Sequence, residues 1–486
     1  MAHAHRPAQE PSGEETQPGL IGAVTRVKPM DDILRQADEN ESGLQRSMGA
    51  LSLTAFGVAA IIGAGIFVLT GQAAAKYAGP GIVISYVLAG IACALAAICY
   101  AELASSVPIS GSAYTYAYAV LGELLAWIIG WDLILEYGVG AAAVGVGWSG
   151  YLTDFLKSSF GWTLPSAIVA SPFDTPSGIV NLPALVILLI ITAMLVFGTR
   201  QSSIINNVMV GIKLAIILFF IVVGATHIHT ANWHTVLPFG FSGVLTGASI
   251  IFFAFIGFDQ ISTAAEEVRD PQRTMPRGIL ASLVICTLLY VLVSGILTGV
   301  VPYTKLNNSS PVSHAMLQIG LNWAATVISV GAVIGLTTVL LVLVFGQSRI
   351  FFAMARDRLL PGAFSTVHPR FHTPWLSTLI VGLCVALLAG FTPISVLAEM
   401  TNIGTLAAFI IVALAVWRLR YTQPDLPRGF RVPWVPVLPI ASVLASCVLI
   451  AYLPWVTILR FAIWLIIGLA VYFLYSRHHS RVQAVS

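Results

Sequence analysis

Long apolar stretches separated by short polar connections run from about residue 48 to residue 475. A hydrocarbon core about 30 Å thick takes about 20 helical residues at 1.5 Å each. On that measure the spans fall at 48–74, 81–106, 120–149, 180–197, 204–224, 243–263, 277–300, 322–348, 375–390, 394–416, 435–454 and 457–475. The ninth, eleventh and twelfth are short enough to merge or tilt. Their apolar residues are continuous rather than alternating, which argues for helices and against a closed barrel. Residues 1–46 are polar and the first long apolar run begins near Met48. A cleavable leader would carry its apolar stretch earlier, so this tail is expected to be retained.

Composition changes the picture from many helices to many lipid-facing helices. Hydrophobic residues make up 57% of the chain and charged residues 9%, against roughly 25% charged in an ordinary soluble domain. A water-facing surface of this size could not be covered with so few charges. The basic residues also assign the sides. With both ends cytoplasmic, that side collects nineteen, from Arg6 through the Arg269, Arg273 and Arg277 loop to Arg481. The other side receives Lys76, Lys157, Lys305 and Arg460, and Lys213 alone lies inside a span. This is a strong positive-inside bias, and losing one internal span would scramble it. A multi-pass protein of the cell membrane, with both termini cytoplasmic, is the expectation. Cys93, Cys99, Cys286, Cys384 and Cys447 all lie in apolar runs without metal-site spacing, so they are expected to be buried or lipid-facing thiols.

Two spans are interrupted. Gly63 and Gly65 sit near the middle of span 1, and Gly257 sits beside Asp259 in span 6. Small residues also serve close helix packing in membranes. The sharper reading is unwound backbone at mid-membrane, where each unpaired N–H or C=O costs several kcal/mol unless something binds it. Amides at a half-helix start suit a carboxylate, and carbonyls at a half-helix end suit an ammonium. A zwitterionic amino acid carries both groups on one Cα. The five-span separation of the breaks is the one expected of inverted repeats.

The run Gly63-Ala64-Gly65-Ile66-Phe67 resembles the first-helix signature of the amino acid–polyamine–organocation transporter superfamily. So does Pro108-Ile-Ser-Gly111-Ser-Ala-Tyr114-Thr-Tyr116, and the stretch from Phe255 to Pro276 is similar to that of its cationic amino acid transporter branch. The likeness covers roughly residues 40–475. It implies an all-α integral membrane protein with a leucine-transporter-like fold, two inverted five-helix repeats plus two peripheral helices. The corresponding divisions are a tail at 1–46, repeats at 47–224 and 225–420, helices 11 and 12 at 421–476, and a tail at 477–486. The substrate carboxylate would meet amides around Ala64, Gly65 and Ile66. Its amino group would meet carbonyls near Ile61 and Ile62, and at Phe253, Ala254 and Ile256. Phe253, or a neighbouring aromatic, would cover the side chain as an inner gate.

Lys213 lies about nine residues into span 5, close to the midplane at helical rise. It either snorkels to the interface or serves as a proton-coupling group, its proton occupancy following solvent access. The resemblance favours the second, because some proton-coupled relatives carry a fifth-helix lysine reaching toward the first-helix break. Glu136 in span 3 and Asp259 in span 6 are further intramembrane acids. Either could neutralise Lys213, stabilise the pocket or recognise a cationic side chain. The expected function is import of L-amino acids by proton symport through alternating access, with side-chain specificity open. Alternatives are a sodium-independent exchanger, a facilitated cationic amino acid carrier, a channel or an intramembrane enzyme. No catalytic residue, metal or cofactor other than the proton is expected. Partners are the amino acid and membrane lipids, not nucleic acid, with a small membrane partner or self-association left open.

Overall fold

The computed structural model describes residues 48–106, 112–174, 176–198, 203–371 and 373–480. The N-terminal tail, most of the terminal tail from residue 481, and Pro108 to Gly111 of the second motif lie outside the described residues. Each apolar stretch predicted above is helical over most of its length. The helices are α1 (Ala50–Ile61), α2 (Ile82–Ser106), α3 (Glu123–Phe160), α4 (Leu182–Val196), α5 (Ser203–Ala225) and α6 (Gly240–Ile251). They continue as α7 (Pro271–Val300), α8 (Asn322–Arg356), α9 (Trp375–Phe391), α10 (Ile394–Thr422), α11 (Val437–Ala451) and α12 (Trp455–Val471). Among the described residues, eight helical runs are long and apolar enough to cross a bilayer, and four apolar helices are shorter. The chain is an all-helical integral membrane protein.

Local chemistry sets several helix ends. The Asn181 side chain accepts the Ala184 amide at 3.3 Å ahead of α4, supplying an acceptor to one of the unpaired amides of the first turn. Gly161, at φ +70°, closes α3 in the left-handed conformation glycine tolerates best. Pro271 starts α7, where a missing N–H costs nothing. Within α3 the residues Ile134–Val139 form a π-bulge that carries Glu136, a local widening often found at functional positions.

The helices pair α2 with α7, α3 with α8 and α4 with α9, while α1 lies along α7. Burial separates core from rim. The apolar windows of α3 and of the span containing α6 are 72% buried, against 28% for α5 and 17% for α12. Leu459, Ile463 and Ile466 of α12 are exposed, as a lipid-facing helix requires. At the α2 end, the buried Glu102 receives Arg420 in a two-pronged bond at 2.7 and 2.8 Å and the Val432 amide at 2.6 Å. Arg428 lies 3.2 Å from the same carboxylate. This network folds the connection after α10 back onto α2, so Glu102 is a paired structural anchor rather than a pocket group.

Candidate functional site

Both interrupted spans are broken in the structure. α1 stops at Ile61, Ile62 is extended (φ −72°, ψ 104°), and helical geometry resumes at Gly65–Leu69. α6 stops at Ile251, passes through a short 3₁₀ turn at Phe252–Phe255, and goes on as a 3₁₀ segment at Asp259–Glu267. Between them Gly257 takes φ +116°, a conformation closed to side chains with a Cβ. The breaks touch. A Cβ placed on Gly65 would lie 2.2 Å from the Ala254 Cα, so only glycine permits this approach of backbone to backbone.

A helix that stops in the membrane leaves its last carbonyls without amide partners, and their fate can be followed one by one. The Lys213 ammonium donates to the carbonyls of Ala59 and Ile62, each at 2.8 Å. The Tyr290 hydroxyl of α7 reaches Ile61 O at 3.1 Å and Ala254 O at 2.8 Å. At the other break, the Asn402 amide of α10 donates to Ser249 O at 2.8 Å and Ile250 O at 2.9 Å. Side chains from α5, α7 and α10 therefore supply the donors that helical amides would have supplied.

Lys213 is 1% exposed. Its ammonium turns inward to the first break instead of rising to the interface, which removes the snorkelling alternative. Neither Glu136 nor Asp259 is among its hydrogen-bond partners. Its stem passes over Gly335 of α8, where an added Cβ would come within 3.3 Å of its Cγ and Cε.

Between the breaks lies a cavity of about 20 Å³ lined by Ile61, Ala64, Gly65, Glu136, Phe253 and Ile256, together with residues of α3, α8 and α10. That volume is of the order of a single water. Of the eight predicted substrate-binding residues, Ile61, Ala64, Gly65, Phe253 and Ile256 line it. Ile62, Ile66 and Ala254 do not; their backbone serves the walls, with Ile66 O accepting Thr70 Oγ1 at 2.9 Å. Ile61, Ile62 and Ala254 each already accept one side-chain donor, leaving each carbonyl one further lone pair.

The two intramembrane acids differ. Asp259 accepts the Tyr137 hydroxyl at 3.1 Å. Glu136 lines the cavity with both oxygens buried beside the Asp259 carboxyl and the Thr405 hydroxyl, and without a well-formed hydrogen bond among the described residues. Tyr290, Asn402 and Gly335 escaped the sequence reading. Tyr290 left one trace, since a buried tyrosine hydroxyl normally needs a partner, but its two acceptors lay 36 and 229 residues away.

Two broken helices touch within a bundle of apolar, membrane-length helices, an arrangement that suits a membrane transporter. Residues 48–482 match the amino acid permease family, and the chain belongs to it, within the superfamily its motifs resemble. It is 50% identical over 467 residues to the branched-chain amino acid permease BcaP of Bacillus subtilis (strain 168), covering 96% of this chain and all of that one. It is 49% identical over 461 residues to the methylthioribose transporter of the same organism, covering 95% and 99%. The vacuolar cationic amino acid transporter 4 of Arabidopsis thaliana is 39% identical over 413 residues, covering 83% and 68%.

Proposed function

We propose that the chain imports L-amino acids by proton symport, holding the zwitterion between the two breaks. The observation that carries this reading is the Gly65–Ala254 contact, which places a helix start and a set of break carbonyls on one cavity. Amides at the start of Gly65–Leu69 suit the carboxylate, and the spare lone pairs around Ile61 suit the ammonium. Val144, Phe253, Ile256, Val339 and Leu343 present an apolar wall to the side chain, in keeping with the branched-chain substrates for which the Bacillus permease is named. Neutral, medium-sized side chains are the proposed substrates, with broad tolerance among them.

The organisation that goes with this reading is the leucine-transporter arrangement. Residues 47–224 and 225–420 would be inverted repeats, with α11 and α12 peripheral and both tails, 1–46 and 477–486, in the cytoplasm of a cell-membrane protein. Lys213 is the proposed proton-coupling group. It bonds the end of the first break through its only charged atom, so a change in its proton count alters that end directly.

A second reading rests on the methylthioribose transporter, which is as similar as the amino acid permease. The Glu136 carboxylate, which lines the cavity, could accept sugar hydroxyls. Uptake of labelled leucine and of labelled methylthioribose into proteoliposomes under imposed gradients tests both. Accumulation driven by an inward proton gradient and indifferent to sodium is expected. Sodium-driven uptake would remove proton coupling, and uptake of methylthioribose but not leucine would replace the substrate.

A further inference from the structure

Tyr290 is 0% exposed and its ring is fixed on two sides, 5.4 Å from Tyr86 and 5.3 Å from Phe255 between centroids. Its hydroxyl has one proton to give, yet it lies within hydrogen-bond distance of two carbonyls, Ala254 O at 2.8 Å and Ile61 O at 3.1 Å. Those carbonyls belong to different breaks, one in each interrupted span. A buried tyrosine that needed only a partner could have found one acceptor. This one stands between the two segments that must both be ordered for a substrate to be held.

The adjacent carbonyl sharpens the point. Ile62 O, one residue beyond Ile61 O, is held by Lys213. Successive carbonyls of one extended turn thus point to side chains on different helices, α5 and α7. If Lys213 releases Ile62 O, the turn is free to rotate. Rotation there carries Ile61 O away from Tyr290, and the hydroxyl then serves Ala254 O alone. We propose that Tyr290 is a positioning residue that transmits the state of Lys213 at the first break to the second break. The inference rests on Lys213 being the proton-coupling group and adds the link by which it acts. The titratable groups facing Tyr290 are Cys286 on α7 and Tyr86 and Cys93 on α2, and Cys286 also faces Lys213. No carboxylate is among them.

Wild type, Tyr290→Phe and Lys213→Ala, each reconstituted in proteoliposomes, separate the possibilities. Two quantities are read with labelled leucine: accumulation under an inward proton gradient, and exchange at equal pH on both sides. Removing the hydroxyl is expected to lower gradient-driven accumulation about 10-fold, the scale of one lost hydrogen bond. Exchange is expected to stay within about 3-fold, because the cavity lining is untouched. Wild-type accumulation in Tyr290→Phe would overturn the inference. Equal loss of accumulation and exchange would also overturn it, since the hydroxyl would then serve the site itself. Phe255→Leu loosens the ring packing but keeps the hydroxyl, and it is the variant to read if Tyr290→Phe does not fold. Retained gradient-driven accumulation there supports the hydroxyl as the link, and loss of accumulation with exchange intact assigns the effect to packing and overturns it. Lys213→Ala keeps the two ideas apart. If it still accumulates leucine under the gradient, the proton-coupling reading fails. If it does not while Tyr290→Phe does, only the link fails.

Discussion

Lys213 and Glu136 are both buried ionisable side chains beside the same cavity, and the protein treats them in opposite ways. Lys213 makes two short bonds to break carbonyls. Glu136 sits in a π-bulge of α3 and lines the cavity, its carboxyl beside that of Asp259 and the Thr405 hydroxyl. A buried charge is costly unless paired or hydrogen-bonded. Lys213 meets that cost by closing a gap in the backbone ladder, so its removal damages two partners as well as itself. Glu136 closes no gap. A group already bonded to the backbone acts by letting go, whereas a group that lines the cavity acts on what enters it.

Four substitutions can break or sharpen this contrast. Lys213→Ala has the largest expected effect. It leaves the carbonyls of Ala59 and Ile62 without donors, at about 1–3 kcal/mol each. A strongly lowered melting midpoint in detergent is expected, together with loss of gradient-driven uptake. An unchanged midpoint would mean that those carbonyls find other donors and that the lysine is no part of the scaffold. Gly65→Ala comes next, because its Cβ collides with the Ala254 backbone. Forcing the breaks apart costs about 1–3 kcal/mol, and leucine binding measured by calorimetry should fall below detection. Retained binding would show that the contact does not shape the site.

Gly335→Val is intermediate. It crowds the Lys213 stem without touching the ammonium, so overpacking of about 1–3 kcal/mol is expected to weaken gradient-driven uptake more than exchange. Equal effects on both would separate the stem from coupling. Glu136→Gln is the smallest. With no backbone carbonyl depending on it and the amide able to keep the Asp259 and Thr405 contacts, its melting midpoint should correspond to a stability change within about 1 kcal/mol, while the ranking of competing substrates shifts. A fall of more than about 2 kcal/mol would make Glu136 a bonded structural acceptor and erase the contrast with Lys213.

Much of the architecture was legible in the chain. Each apolar stretch became a helix, the first and sixth broke where Gly63, Gly65 and Gly257 stand, and Lys213 lay deep in its span. These features depend on local quantities: length against bilayer thickness, and the low helix preference of glycine. The candidate pocket was half legible. Ile61, Ala64, Gly65, Phe253 and Ile256 reach the cavity because they belong to the breaks themselves. Ile62 and Ala254 turn their carbonyls to Lys213 and Tyr290 instead, and nothing in their neighbours foretells that.

Local pattern, hydropathy for entry and glycine for the breaks, determined which segments enter the membrane and where their backbone fails. It is a sum over neighbours, and it needs no knowledge of what lies opposite. Only the tertiary structure decided who repairs the failures: Lys213 across 151 residues, Tyr290 across 229 and Asn402 across more than 150. Lipid offers no hydrophobic preference for one helix neighbour over another. The choice of partner falls to packing and to the demand that each exposed carbonyl find a donor. Such a demand is met by position in space, which a one-dimensional pattern does not carry.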